Sequence, residues 1–132
     1  MSQENVEIVR RIFAAWGKEG SPLGSGLLSE EIEWVNPSEA IEPGTRKGTP
    51  AFVEAAESIS AAFAGLRVDF ERYVDAGDKV VVIGVLRGHG HGSGVEIERR
   101  QGYLWTIRHG KAIRFQWFND PSDALEAAGL RE

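Results

Sequence analysis

Arg100 and Asn119 are the polar residues of this sequence whose types best suit recognition of an oxygen atom. They lie near the ends of two segments that alternate like β-strands. A guanidinium fork and an amide can together hold a carboxylate, an enolate or a carbonyl oxygen. The alternative for Arg100 is a salt bridge to Glu96 or Glu98. The pattern therefore predicts either an oxygen-binding site or a surface ion pair.

His89 and His91, within the glycine-rich stretch from Gly88 to Gly94, have the spacing of a metal-binding pair. A catalytic zinc ion usually has about three protein ligands, and His109 belongs to the far end of the next strand. The alternatives are a general base near a pocket mouth and a solvated turn. No lysine–serine pair follows the glycines, so a phosphate-binding loop is not predicted. We expect no metal ion and no cofactor.

The composition is typical of one globular domain. The chain has 132 residues, 42% apolar and 27% charged. This length suits a single domain, residues 1–132, and is too short for two cores. Fifteen basic and twenty acidic residues give a net charge of −5, which disfavours nucleic acid and anionic membranes as partners.

The sequence also limits where the protein acts and by which chemistry. It has no cysteine, which excludes a thiolate nucleophile and disulfide bonds. No apolar run reaches the about 18 residues of a membrane span, and the first residues lack the pattern of a signal peptide. We therefore expect a cytoplasmic protein.

The periodicity of apolar residues predicts the elements that position these side chains. Helices are predicted over about Gln3–Gly17 and Thr49–Ala64, separated by a short strand at Glu31–Val35 and a loop at Ser38–Gly48. Four strands joined by short turns follow, with a hairpin signal at His109–Gly110. Short turns permit only antiparallel neighbours, so we predict an α+β fold with helices on one face of a curved antiparallel sheet. Such a sheet makes a cone whose open mouth suits a small molecule.

Several motifs within this order are similar to those of a known family. They are Gly77–Val82 (GDKVVV), Gly88–Gly94 (GHGHGSG), Trp105 followed by His109-Gly110-Lys111, and Asp120–Leu130 (DPSDALEAAGL). The chain resembles the SnoaL-like group of the nuclear-transport-factor-2-like superfamily, which includes ketosteroid isomerase, polyketide cyclases, scytalone dehydratase and limonene epoxide hydrolase. The resemblance implies a cone-shaped sheet wrapped over long N-terminal helices, with a pocket inside. Asp120 is predicted to cap a last short helix.

The catalytic residues of those relatives carry over only in part. The epoxide hydrolases have Tyr-x-Asn on the first short strand, where this chain has Trp34 and Asn36, so only the asparagine matches. Their arginine and aspartate fall at Val82 and Gly84, and the acid of the last strand falls at Trp117. The acid–base sets of the relatives are therefore missing, and the resemblance does not imply their reactions.

The resemblance also implies that the first helix and two strands converge on the cavity. Tryptophans there would stack on a planar ligand and offer a ring N–H, whereas the alternative is plain core. The predicted ligand-binding residues are Trp16, Trp34, Asn36, Arg100, Trp117 and Asn119.

The hairpin turn predicts which residues share a face. If Arg108 pairs with Lys111, Leu104 faces Phe115. We predict that this face is the cone interior, because the superfamily's last-strand acid lies there. The predicted interior residues are Arg100, Leu104, Thr106, Ile113, Phe115, Trp117 and Asn119. The predicted outer residues are Arg99, Gln101, Tyr103, Trp105, Arg114, Gln116 and Phe118.

The predicted outer face combines arginine with aromatic residues, as the centres of protein interfaces do. Many relatives also dimerise through their sheets. We therefore expect a homodimer through this face. The alternative is that the segment from Pro121 folds back over it within one chain.

Three functions are open at this point. One is an enzyme, such as an isomerase, cyclase or hydrolase, that acts on a small apolar cyclic or carbonyl-bearing molecule. The second is a non-catalytic binder of such a molecule, for which missing acids are no difficulty. The third is a dimeric interaction module with a vestigial pocket.

Overall fold

The computed structural model describes residues 2–130. The helices are α1 (Ser2–Glu19), α2 (Thr49–Ala62) and α3 (Pro121–Ala127), with a 3-10 turn at Pro22–Ser25. The strands are β1 (Leu28–Asn36), β2 (Gly44–Lys47), β3 (Phe63–Ala76), β4 (Lys79–Gly90), β5 (Glu96–Arg108) and β6 (Lys111–Phe118). They form one curved six-stranded sheet in the order β2-β1-β6-β5-β4-β3. The predicted α+β class and curved sheet are confirmed.

The long helices form where the apolar stripes predict them. Val9 and Ile12 of α1 and Phe52 of α2 have no exposed surface, so each helix buries one face. The Gly20 N–H donates to the Trp16 carbonyl at 2.8 Å, and the φ of Gly20 is 73°, a left-handed ending that favours glycine.

The last helix begins as predicted. The Asp120 side chain accepts a hydrogen bond from the backbone N–H of Ser122 at 2.9 Å. This bond stabilises the carboxylate and lowers the pKa of Asp120. Pro121 follows as the first residue of α3, where a missing N–H has no cost.

The sheet differs from the prediction at one edge. Strands β3 to β6 are antiparallel neighbours, as predicted, but β1 lies parallel to β6. A parallel pair needs a long connection, which the chain between β1 and β6 provides. The predicted loop at Ser38–Gly48 also contains β2, which pairs with β1 through Thr45 and Arg46.

A bulge in β6 changes the predicted faces. Arg108 pairs with Lys111 as predicted, but Thr106 pairs with Arg114, so Ile113 is an extra residue on β6. An extra residue on one strand shifts the register by one and reverses which partners share a face.

Beyond the bulge, Trp105 faces Phe115, where Leu104 was predicted, and Tyr103 faces Trp117. The odd-numbered residues of β5 therefore share the inner face with Trp117. The interior positions predicted for Arg100, Leu104 and Thr106 are wrong, as are the outer positions predicted for Arg99, Gln101, Tyr103 and Trp105.

Apolar residues pack on both faces of the sheet. On the inner face, Trp105 and Phe115 pack with α1 and α2 in the larger core. On the outer face, Leu104 packs in a smaller core with Ala124 of α3. A Cβ on Gly102 would lie 2.6 Å from the Ala124 Cβ, so this close approach of α3 requires glycine.

Candidate ligand-binding site

Polar side chains of three neighbouring strands meet on the inner face, on the side of the sheet that packs against α1 and α2. The pairing of β5 with β6 and of β6 with β1 brings them together. We call this group the inner site. It consists of Trp34, Asn36, Gln101, Tyr103, Trp117 and Asn119.

Asn36 ties two tryptophans together. The ring N–H groups of Trp34 and Trp117 both donate to the Asn36 Oδ1, each at 2.7 Å. Because an indole N–H is only a donor, the amide oxygen must be the atom that faces both rings. The Asn36 Nδ2 donates to the Glu42 carbonyl at 2.8 Å and anchors the segment before β2. These two ring N–H groups are therefore not available to a ligand, and the rings offer carbon surface instead.

Gln101 connects the other polar residues of the inner site. It is 6% exposed, and its Oε1 accepts a hydrogen bond from the Tyr103 hydroxyl at 2.8 Å. Its Nε2 donates to the Asn119 Oδ1 at 3.5 Å, which is the long limit of a hydrogen bond. Burial raises the pKa of Tyr103 above its ordinary value, so its hydroxyl keeps its proton at neutral pH.

Aromatic rings surround the inner site. The Trp34 ring centroid lies 4.9 Å from that of Phe115 and 5.0 Å from that of Phe52. Trp16 packs beside Trp34 at 6.4 Å with its ring inclined by 60°. Trp105 lies deeper, with no exposed surface and no hydrogen-bond partner for its Nε1 among the described residues. The site therefore has an apolar surround with a few fixed amides.

Five of the six residues predicted to bind ligand lie together. Trp34, Asn36 and Trp117 share hydrogen bonds, Asn119 contacts Gln101, and Trp16 packs against Trp34. Whether they bind a ligand stays a prediction.

Arg100 does not join them. It lies on the outer face, where its Nε is 2.9 Å from the Glu71 Oε1. The bulge at Ile113 is the reason, since it moves the even-numbered residues of β5 outward. The alternative of a surface ion pair is thus correct in kind, although the partner is Glu71 rather than Glu96 or Glu98.

Sequence reasoning missed Gln101, Tyr103 and Arg99 on the inner face. A signal for them was present, because the face assigned to the exterior carried Tyr103 and Trp105, which are unusual in ordinary solvent. Two large aromatic residues on alternate positions indicate a buried face more strongly than an ideal two-residue hairpin indicates its register.

Ionisable side chains lie both in and beside the inner core. Tyr103 and Tyr73 pack in it, and Arg46, which pairs with Trp34 across β1 and β2, forms a salt bridge with Glu42. Burial raises the pKa of Tyr73, and Arg10, stacked 4.1 Å above its ring, opposes that rise. Within residues 2–130, no three His, Cys, Asp or Glu side chains are grouped so as to hold a metal ion. His89 and His91 lie exposed at the end of β4 and in the turn after it.

The outer face predicted to form a homodimer is not a free surface with the predicted residues. Tyr103 and Trp105 are buried on the inner face, and α3 covers Leu104 on the outer face. The structure agrees instead with the alternative, in which the segment from Pro121 folds back over the sheet within one chain. A homodimer stays a prediction, but not through Tyr103 and Trp105.

A small cavity of about 110 Å³ lies on the outer face beside α3. It is lined by Lys79, Leu104, Thr106, Arg114, Gln116 and Ala127. None of these residues belongs to the inner site, which lies on the opposite face of the sheet, so this cavity is separate from it. None of the helices described is long and apolar enough to cross a membrane.

Comparison with known proteins agrees with this architecture. The family model of the SnoaL-like domain matches residues 9–115. No curated protein sequence matches the chain significantly.

Solved structures resemble the whole chain. A nuclear-transport-factor-2-like protein of Burkholderia xenovorans is 25% identical with a TM-score of 0.75, over 97% of this chain and 98% of that one. A protein of Catenulispora acidiphila with a ketosteroid isomerase-like fold, in complex with trimethylamine, is 26% identical with a TM-score of 0.73, over 94% and 93%. A protein of Jannaschia sp. assigned as a SnoaL-like polyketide cyclase is 23% identical with a TM-score of 0.78, over 89% and 85%. With the family model matching most of its length, the chain belongs to the SnoaL-like family.

Proposed function

We propose that this protein binds a small, flat, largely apolar molecule that bears a carbonyl oxygen, between the inner face of the sheet and the two long helices. The observation that carries the proposal is the buried Gln101 carboxamide, which has hydrogen-bonding capacity left over on the inner face.

The unused capacity of the amides favours an acceptor on the ligand. The Gln101 Nε2 has two N–H groups and one long bond, to Asn119 at 3.5 Å. The Asn119 Nδ2 makes no hydrogen bond with any residue of the described chain. Asn119 is exposed, whereas Gln101 is 6% exposed. Leaving the second N–H of the buried Gln101 amide unpaired is costly, so a carbonyl oxygen at Gln101 would stabilise the complex.

The aromatic surround favours a flat ligand. Asn36 fixes the half-buried Trp117 in orientation, so little side-chain freedom is lost when a ligand stacks on its ring. Rigid rings with a few fixed polar groups are typical of small-molecule sites.

Binding fits these residues better than catalysis does. Isomerase, cyclase and hydrolase reactions need a group that moves a proton near neutral pH. Tyr103, whose pKa is raised, is the ionisable member of the inner site, and its hydroxyl donates to Gln101. A protonated tyrosine can polarise an oxygen but is a poor base.

The test compares 2-acetylnaphthalene with 2-isopropenylnaphthalene, which replaces the carbonyl oxygen by a CH₂ group. Affinity is measured by quenching of tryptophan fluorescence. We expect the ketone to bind about 5- to 10-fold more tightly, the effect of one hydrogen bond in a buried site.

Two glutamine variants decide whether Gln101 is responsible. Gln101→Leu should remove the preference for the ketone while the hydrocarbon still binds, and circular dichroism checks that the variant is folded. Gln116→Leu is the matched control on the outer face and should keep the preference. Equal affinities for the two ligands in the unmodified protein, or no binding of either, would reject the proposal.

A small alkylammonium ion is the second candidate. The relative from Catenulispora acidiphila was solved in complex with trimethylamine and is 26% identical to this chain. The half-buried Trp117 ring would attract such a cation through its face. In the same assay, competition of trimethylammonium with 2-acetylnaphthalene would support this candidate, and its absence would reject it.

A further inference from the structure

We propose that Arg99 binds a carboxylate on the ligand of the inner site, so that the natural ligand is a flat carbonyl compound with an acidic group at its outer end. This inference rests on the proposed function and adds that the ligand carries a carboxylate.

The strand register places Arg99 on the side of the inner site. Gly84 pairs with Gln101 and Leu86 pairs with Arg99, without a bulge between them. Residues two apart on a strand point to the same face. Arg99 is therefore directed to the same side as Gln101, one step further out along β5, and it is exposed.

Arg99 differs from its neighbours in having no acidic partner. On the outer face, Arg67 lies 3.8 Å from Asp69, and Arg100 lies 2.9 Å from Glu71. Arg87 bonds both Asp69 and Glu98. Arg99 forms no ion pair or hydrogen bond with any residue of the described chain. The three arginines on the outer face of this part of the sheet thus have acidic partners, whereas Arg99 on the inner face has none among the described residues.

Apolar side chains connect Arg99 with the inner site. Leu86 pairs with Val68 and with Arg99, and both apolar residues are half-buried. Phe70, which pairs with Gly84 in the next row, is 40% exposed. A ligand that extends outward from Gln101 would lie along carbon surface and then meet a guanidinium.

The spacing defines the ligand class. Two residues along a strand span about 7 Å. A carbonyl oxygen bound at Gln101 and an anion bound at Arg99 are therefore about as far apart as the width of two fused rings. A guanidinium binds a carboxylate through two parallel hydrogen bonds, which an amide does not reproduce. An aromatic keto acid therefore fits both ends.

The test uses 6-acetyl-2-naphthoate and its uncharged counterpart 6-acetyl-2-naphthamide, with affinities from fluorescence quenching at low salt. We expect the carboxylate to bind about 5- to 10-fold more tightly than the amide. Arg99→Gln should abolish this difference and leave the affinity for the amide within about two-fold.

Arg100→Gln is the matched control, because it removes an arginine of the same strand that faces the other way. It should keep the full preference for the carboxylate. Binding of the amide without a preference for the carboxylate, or a preference that survives Arg99→Gln, would overturn this inference and leave the proposed function standing. Binding of neither compound would overturn both.

Discussion

Replacing Asn36 by leucine should cost far more stability than the loss of one surface amide. The change keeps a side chain of similar size but removes the oxygen that accepts from both Trp34 and Trp117, each at 2.7 Å. It also removes the donor to the Glu42 carbonyl. Two indole N–H groups then lack a partner at the junction of β1 and β6.

The magnitude follows from the burial of each ring. Trp34 is 3% exposed, so its N–H cannot reach water and its loss of a partner costs about 1–3 kcal/mol. Trp117 is half-buried and can be partly rehydrated, which limits its cost to about 0.5–1.5 kcal/mol. We therefore expect the free energy of unfolding to fall by about 2–4 kcal/mol in Asn36→Leu.

Urea unfolding followed by circular dichroism measures this change. The matched control is the triple variant Asn36→Leu, Trp34→Phe, Trp117→Phe, in which donors and acceptor are removed together. Removing both partners of a hydrogen bond costs much less than removing one, so part of the lost stability should return. A decrease in the free energy of unfolding below about 1 kcal/mol for Asn36→Leu would refute the role given to Asn36. A triple variant whose loss equals the loss of Asn36→Leu plus the packing lost in the two Trp→Phe changes would refute it as well.

Three further predictions concern other parts of the fold. Gly102→Val should lower the free energy of unfolding by about 1–3 kcal/mol, because its Cβ would lie 2.6 Å from the Ala124 Cβ. Gly17→Ala, with no atom within 4 Å, should not lower it, and equal losses in urea unfolding would contradict the packing of α3. The raised pKa of Tyr103 means that the unfolded chain loses that proton first, from its ordinary pKa of 10.0, so stability should fall as pH rises above that value. Tyr103→Phe should show a shallower fall in urea unfolding across that range, and an identical slope would count against it. Finally, a homodimer stays a prediction with no assigned surface; light scattering that gives a particle of 14.5 kDa would exclude it.

Local signals in the sequence predicted most of the elements correctly. The stripes of α1 and α2, the cap at Asp120 and the hairpin turn at His109–Gly110 all depend on residues close together in the chain. His109 and Gly110 have φ values of 53° and 78°, the pair of positive angles that a two-residue hairpin turn requires. Such features are predictable because neighbouring residues alone determine them.

Pairing between distant segments was not predictable in the same way. The parallel contact of β1 with β6 joins Trp34 to Phe115, which lie far apart in sequence, and no turn residue signals it. The strand β2 has four residues, none of them fully buried, so no alternation distinguishes it from a loop. The packing of Gly102 against α3 likewise depends on a contact between separate segments of the chain, which no local pattern signals.

One residue, Ile113, decides the chemistry of the inner face. Without the bulge there, Arg100 and Leu104 would lie on the inner face, which would place a cation on the same side of the sheet as Trp117. With the bulge, the same strand presents Gln101 and Tyr103 instead, and Arg100 is neutralised by Glu71 outside. The neutral Gln101 amide would bind a carbonyl oxygen without burying a charge, which would cost several kcal/mol if it were unpaired. Because a single inserted residue exchanges one set of side chains for the other, the register of β5 against β6 determines which side chains the inner face presents as directly as the identity of any residue in it.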